Sequence, residues 1–207
     1  MKVNIPENIS EVTLDQFQKY MNLIDSGIDE EQMRVRKIGI FANIPYKILR
    51  DVRATDFERI EAQIDKALET NHEFKNRFTL NGIEFGFIPE LDQMSLGEFS
   101  DLEKYQSGVE DLYKLMSILF RPITNSNGER YEIENYKGTS KYSEIMKQTP
   151  QSIVNGALVF FLNLANELED YTLKYSSEEI ARGVKLKRTS KTGAGIQRLK
   201  KWLPTIF

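Results

Sequence analysis

Few residues of this chain are suited to chemistry, and their spacing restricts what each can do. His72 is the single histidine, so a pair of imidazoles cannot hold a metal, and a Ser-His-Asp arrangement would have to use this one side chain. With Asn71 and Glu73 as neighbours, it reads as a solvated residue at a helix end, where the backbone dipole favours a cation. Cysteine is absent, which removes disulfides, thiolate metal sites and a cysteine nucleophile, and is compatible with a reducing compartment. Glu98, Asp101 and Glu103 form the one carboxylate cluster that invites a general acid-base reading. Such a role needs a pKa raised by burial or by a close like charge, and the local pattern supplies neither. Glu98 is accounted for as a helix cap, and Asp101, four residues before Tyr105, belongs to a helix surface. Ser190-Lys191-Thr192-Gly193-Ala194-Gly195-Ile196 carries closely spaced glycines but lacks the Walker spacing and the third glycine of a dinucleotide fingerprint, so it reads as a flexible joint. No catalytic, cofactor-binding or metal-ligating residue is expected, and the chain reads as a packing or assembly protein rather than an enzyme.

The elements around those residues are set by turns and caps. Asn81-Gly82, between Phe78-Thr79-Leu80 and Ile83-Glu84-Phe85, takes the two positive φ angles of a tight type I′ hairpin. Pro89 stops the second strand, and Ser95-Leu96-Gly97-Glu98 is a capping box that starts a helix near Leu96. After Gly108, the spacing of Leu112, Leu115, Met116, Leu119 and Phe120 predicts a helix with one buried stripe, ended by Pro122.

Upstream, Thr13-Leu14-Asp15-Gln16 is a second capping box, opening a helix with Leu14, Phe17, Met21 and Ile24 on its apolar face and Gly27 as its stop. Asp29-Glu30-Glu31 opens a short helix before Pro45, Tyr46 to Val52 continues helically, and Thr55-Asp56-Phe57-Glu58 caps a helix bearing Ile60, Ile64, Ala67 and Leu68. Downstream, Thr124 to Gly128 reads as loop, with one strand at Tyr131-Glu132-Ile133. Thr149-Pro150 begins a helix whose apolar residues, from Ile153 to Leu168, cover more than one stripe and make it a buried central element. That stretch holds Asn155 and Asn163 and falls short of the roughly 20 residues a membrane span requires. The opening MKVNIPENISEV has no apolar run of signal-peptide length, so neither secretion by that route nor a membrane partner is expected.

Charge is distributed unevenly. Glu179 is the last acidic residue, and Arg182, Lys185, Lys187, Arg188, Lys191, Arg198, Lys200 and Lys201 follow it. With the total at −3 and these residues contributing +8, residues 1–179 carry −11. Ile196, Leu199, Trp202 and Leu203 fall near one side of a short helix before Pro204, and Phe207 adds a further apolar group. The arm is a candidate partner-binding segment for another subunit, for the chain's own acidic body, or for nonspecific contact with DNA phosphates. The expected fold is α+β and predominantly helical. Residues 1–179 form one interlocked body, helical over 1–77 and built from a central β-hairpin plus helices, including a buried C-terminal helix, over 78–179; residues 180–207 form the extended basic amphipathic arm.

The stretch GFIPELDQMSLGEFSDLEKY, followed by LYKLMSILFRPI, YEIENYKGT and VNGALVFFLNLANEL, resembles a protein of tailed bacteriophages, including crAss-like phages. The likeness runs from about Phe78 to Leu168, and VTLDQFQKYMNLI is more weakly similar to the helical openings of phage tail and tail-assembly proteins. It implies a place in the virion or in its assembly; joined to the acidic body and basic arm, it gives the expectation of a structural neck or tail ring or adaptor, with other phage structural proteins and further copies of the chain as partners. The location implied is the virion, with the host cytoplasm during assembly. The alternative it implies is a tail-assembly chaperone absent from the mature particle. It transfers no active-site residue, because the shared motifs are apolar, turn-forming or capping.

Overall fold

Capping chemistry sets the first helix, and long-range backbone pairing anchors it. In the computed structural model, which describes residues 4–69, 74–106, 108–161 and 163, α1 (Leu14–Asp25) begins with the Thr13–Gln16 box formed in both directions. The amide of Gln16 also donates to the carbonyls of Ile40 and Phe41, capping the end of α2 (Glu30–Phe41). The N–H groups of Leu14 and Asp15, which a first turn leaves unpaired, donate to Thr149 O at 2.9 Å and Lys147 O at 2.8 Å, and Gln151 N–H donates to Val12 O at 2.8 Å. Gly27, at φ +65°, follows the helix as a left-handed stop. The buried face includes Leu14, Phe17 and Met21 as expected, but Leu23 rather than Ile24 completes it: Leu23 lines a groove with Val35 and Ile40 of α2, while Ile24 is 41% exposed.

After the short α3 (Tyr46–Leu49), α4 (Ala54–Leu68) buries Ile60, Ile64 and Ala67. The expected Thr55 cap does not form: the helix begins after Arg53, which places Thr55 inside the first turn. Helices α2 and α4 are joined by charge. Lys37, only 8% exposed, reaches Glu61 at 3.0 Å and Asp65 at 2.8 Å, and Arg34 donates to the same Glu61. Burial disfavours the Lys37 ammonium, yet its two carboxylate partners hold its pKa above the ordinary lysine value.

Four antiparallel strands in the order β1-β2-β3-β4 form the sheet: β1 (Arg77–Leu80), β2 (Ile83–Phe87), β3 (Phe120–Asn127) and β4 (Arg130–Ile133). The β1–β2 turn has Asn81 at φ 49° and Gly82 at φ 78°, as the Asn-Gly pair requires. The central hairpin is therefore half of a larger sheet. Helix α5 (Leu96–Tyr105) follows β2, and α6 (Leu112–Leu119) ends one residue earlier than expected, passing directly into β3. Pro122 does not end the helix; it sits at the margin of both ladders of β3, where its missing N–H is not needed and its carbonyl accepts Glu134 N–H at 2.8 Å. The segment 124–127, expected as loop, is strand, and Gly128 at φ +62° begins its turn into β4.

The two faces of the sheet differ. Phe78, Phe85, Phe87 and Phe120 interlock on one face through edge-on and stacked ring contacts. Phe160 and Phe161 of α8, the helix described over residues 151–161, pack against Phe87 there. One apolar cluster runs from Val12 to Leu158 and includes Ile153, Val154 and Ala157 of α8. The architecture is α+β with an antiparallel sheet, as the sequence predicts at that level. Among the described residues, no helix is long and apolar enough to cross a membrane.

Candidate functional site

On the other face of the sheet, Gly86 and Arg121 stand opposite each other in the β2–β3 register. The absent side chain of Gly86 is filled from β4: a Cβ there would lie 2.4 Å from the Tyr131 ring and 2.9 Å from Ile123 Cγ1. Tyr131 thus packs across β2 at Gly86 and donates its hydroxyl to Phe87 O at 2.8 Å, with Asn76 O at 3.2 Å sharing the same proton. Arg77 covers the same ring at 4.4 Å and continues to Ser126, Gly128 and Glu129, pinning the β3–β4 turn from β1.

Beside this stack, α5 places a buried ion pair. The capping box orients Glu98, whose Oε2 accepts Ser95 N–H at 2.6 Å while Oε1 meets Arg121 Nη2 at 2.6 Å. Glu98 is 6% exposed and Arg121 7%. Burial raises the Glu98 pKa, but the Ser95 hydroxyl and amide and the Arg121 guanidinium prevail and hold it below the ordinary carboxylate range. Arg121 lies over the Tyr136 ring, its Nε–H is buried without an acceptor, and Tyr136 donates its hydroxyl to Asp101 Oδ2 at 2.6 Å. Burial, followed by that acceptor, pushes the Tyr136 phenol well above its usual value. Glu98 and Asp101, adjacent only by chain position in the sequence, are thus tied into one network through Arg121 and Tyr136.

These groups floor and flank an open groove of about 670 Å³ between α5, the short 3-10 turn at Leu91–Gln93 and the β3–β4 hairpin. Glu90, Glu132 and Glu134 line it, with Lys137 at one end. Glu134 is engaged by Lys141 and by the Tyr142 hydroxyl, whereas Glu90 and Glu132 are exposed and have no ion-pair partner among the described residues. On α5, Leu96, between the lining residues Met94 and Glu98, is 84% exposed and Phe99 41%; neither lines the groove. Paired with Arg121, Glu98 is held ionised and serves as an acceptor rather than a proton donor.

Glu103 is an exposed residue of α5 with no place in this network. His72 and the candidate partner-binding residues Arg182, Lys185, Lys187, Arg188, Lys191, Arg198, Leu199, Lys200, Lys201, Trp202, Leu203 and Phe207 lie outside the described residues, as do the glycine-containing joint and the stretch 164–168. Among the described residues, no group of three His, Cys, Asp or Glu side chains is placed to hold a metal. Arg121, with Tyr136 beside it, is the central site residue that sequence reasoning missed. The alternation Phe120-Arg121-Pro122-Ile123 ahead of a Gly-containing turn is the signal that marks it as a strand residue. Comparison of the chain with protein-family models, curated proteins and solved structures gives no match.

Proposed function

We propose that this chain is a structural, non-enzymatic component of a tailed-phage virion, a neck or tail ring or adaptor built by repeated subunit contacts. The observation that carries the reading is the exposed pair Leu96 and Phe99 on α5, apolar surface which a protein assembled with partners covers and a solitary one leaves in water. The sequence resemblance to tailed-phage and crAss-like proteins supplies the setting: the virion, and the host cytoplasm during assembly. A closed ring needs two different patches that match head to tail. An acidic body and the basic segment Arg182–Phe207 supply complementary halves, with Trp202 and Phe207 as apolar anchors. Other phage structural proteins and further copies of the chain are the partners, and contact of the arm with packaged DNA is nonspecific.

Quantitative mass spectrometry of gradient-purified particles tests this. A fixed copy number relative to portal and tail components, matching a symmetric ring, supports the structural role. Absence from particles with abundance in infected-cell extracts refutes it and favours the tail-assembly chaperone. Deleting Arg182–Phe207 is expected to abolish incorporation while sparing the fold.

A further inference from the structure

We infer that the groove between α5 and the β3–β4 hairpin seats the basic segment 182–207 of a second copy of this chain, with Leu96 and Phe99 meeting its apolar residues. The inference rests on the assembly reading above and names the receptor surface which that reading lacks.

Three features fit a peptide that carries both cations and apolar residues. Glu90 and Glu132 are exposed on the groove walls and carry no ion-pair partner among the described residues, and the segment that follows Glu179 has eight cations and no acidic residue. Arg121, 7% exposed, lines the groove with an Nε–H that finds no acceptor in the fold; a peptide carbonyl supplies one after a small shift of the side chain. Leu96, the most exposed large apolar residue of the described chain, stands with Phe99 on the helix that forms one wall, where Leu199, Trp202 and Leu203 can follow the cations onto it.

The sheet favours a second copy over the chain's own arm. Phe87 and Phe120 share one face with Phe160 and Phe161 of α8, and Gly86 and Arg121 share the other with the groove. The chain therefore leaves its last described helix on the side of the sheet away from the groove. Residues 164–181 separate that helix from Arg182, a length that could wrap around the body when extended, so docking in cis is the competing outcome.

The test is sedimentation of the full-length chain over a range of protein and salt concentrations. The wild type is expected to self-associate, less so at high salt. Glu90→Lys with Glu132→Lys, or Lys185→Glu with Lys187→Glu and Arg188→Glu, should each weaken association at least about tenfold. A chain carrying both sets should recover it, because the attraction is restored with the signs exchanged. Leu96→Ser should weaken association with an unchanged thermal melt, which separates docking from folding. A wild type that stays monomeric, as docking in cis predicts, overturns the inference, and so do reversals without effect or a doubly reversed chain that does not recover. Mass spectrometry of particles separates the two readings. Wild-type protein present in virions alongside groove variants that associate normally sinks only the groove, whereas absence from virions sinks the structural role whatever the sedimentation shows.

Discussion

Removing one partner of the Glu98–Arg121 pair should be among the most damaging changes available on the sheet's outer face. Both side chains are below one-tenth exposed and 2.6 Å apart, so Glu98→Ala strands a guanidinium from which water is largely excluded and also removes half of the α5 capping box. Breaking a buried pair from one side costs about 3–5 kcal/mol, and the lost cap places this variant at the upper end. Arg121→Met leaves a carboxylate that still accepts the Ser95 N–H, which puts its cost nearer about 3 kcal/mol. Glu98→Gln combined with Arg121→Met removes both charges while the glutamine keeps its reach to Ser95 N–H. Measured against Glu98→Gln and Arg121→Met made singly, that variant should be more stable than the sum of the two losses implies, with a coupling of at least about 2 kcal/mol. Urea unfolding followed by far-ultraviolet circular dichroism is the appropriate assay, because it reads the loss of the helices and the sheet together. Single variants that each cost less than about 1 kcal/mol, or losses that simply add, would refute the reasoning.

Gly86→Ala should destabilise by about 1–3 kcal/mol, since its Cβ would fall 2.4 Å from the Tyr131 ring and dislodge it; Tyr131→Ala in the same chain should recover part of the loss in urea titrations. Lys37→Met should cost about 2 kcal/mol by thermal or urea unfolding, below the usual figure for a buried pair because Glu61 keeps Arg34 and Asp65 is half exposed. Acid should weaken the fold through Glu98 and Glu61. Both carboxyls are held below their ordinary values in the folded chain, so their stabilisation is complete above the unfolded carboxylate pKa of about 4.3 and is lost as pH falls through the folded values. Glu98→Gln and Glu61→Gln should each flatten stability between roughly pH 5 and pH 2, and parallel acid limbs in variant and wild type would contradict this.

What could be read from the sequence was local. The Thr13–Gln16 and Ser95–Glu98 boxes and the Asn81-Gly82 turn each complete their chemistry within four residues, and all three stand in the structure. Thr55 shows the limit of such signals: the right residue types are present, but α4 starts one residue ahead of it. Three strands of the sheet were legible, and β3 was not, because it is polar after Ile123 and contains a proline, so its strand state depends on β2 and β4 rather than on its own composition. The groove inherits that gap. Glu98 was recognised as a cap, but its second role needs Arg121, which only the sheet register brings beneath α5.

The backbone pairing of the first turn of α1 has a consequence for synthesis. Leu14 and Asp15 find their acceptors at Thr149 and Lys147, and Val12 finds its donor at Gln151, so the ribosome must add more than 130 residues before this seam can close. At about 5–20 residues per second, that delay is on the order of ten seconds. The amino-terminal helices thus wait, provisionally arranged, for a latch delivered late in translation, and a nascent chain halted before Lys147 should remain open to proteolysis at Val12–Asp15.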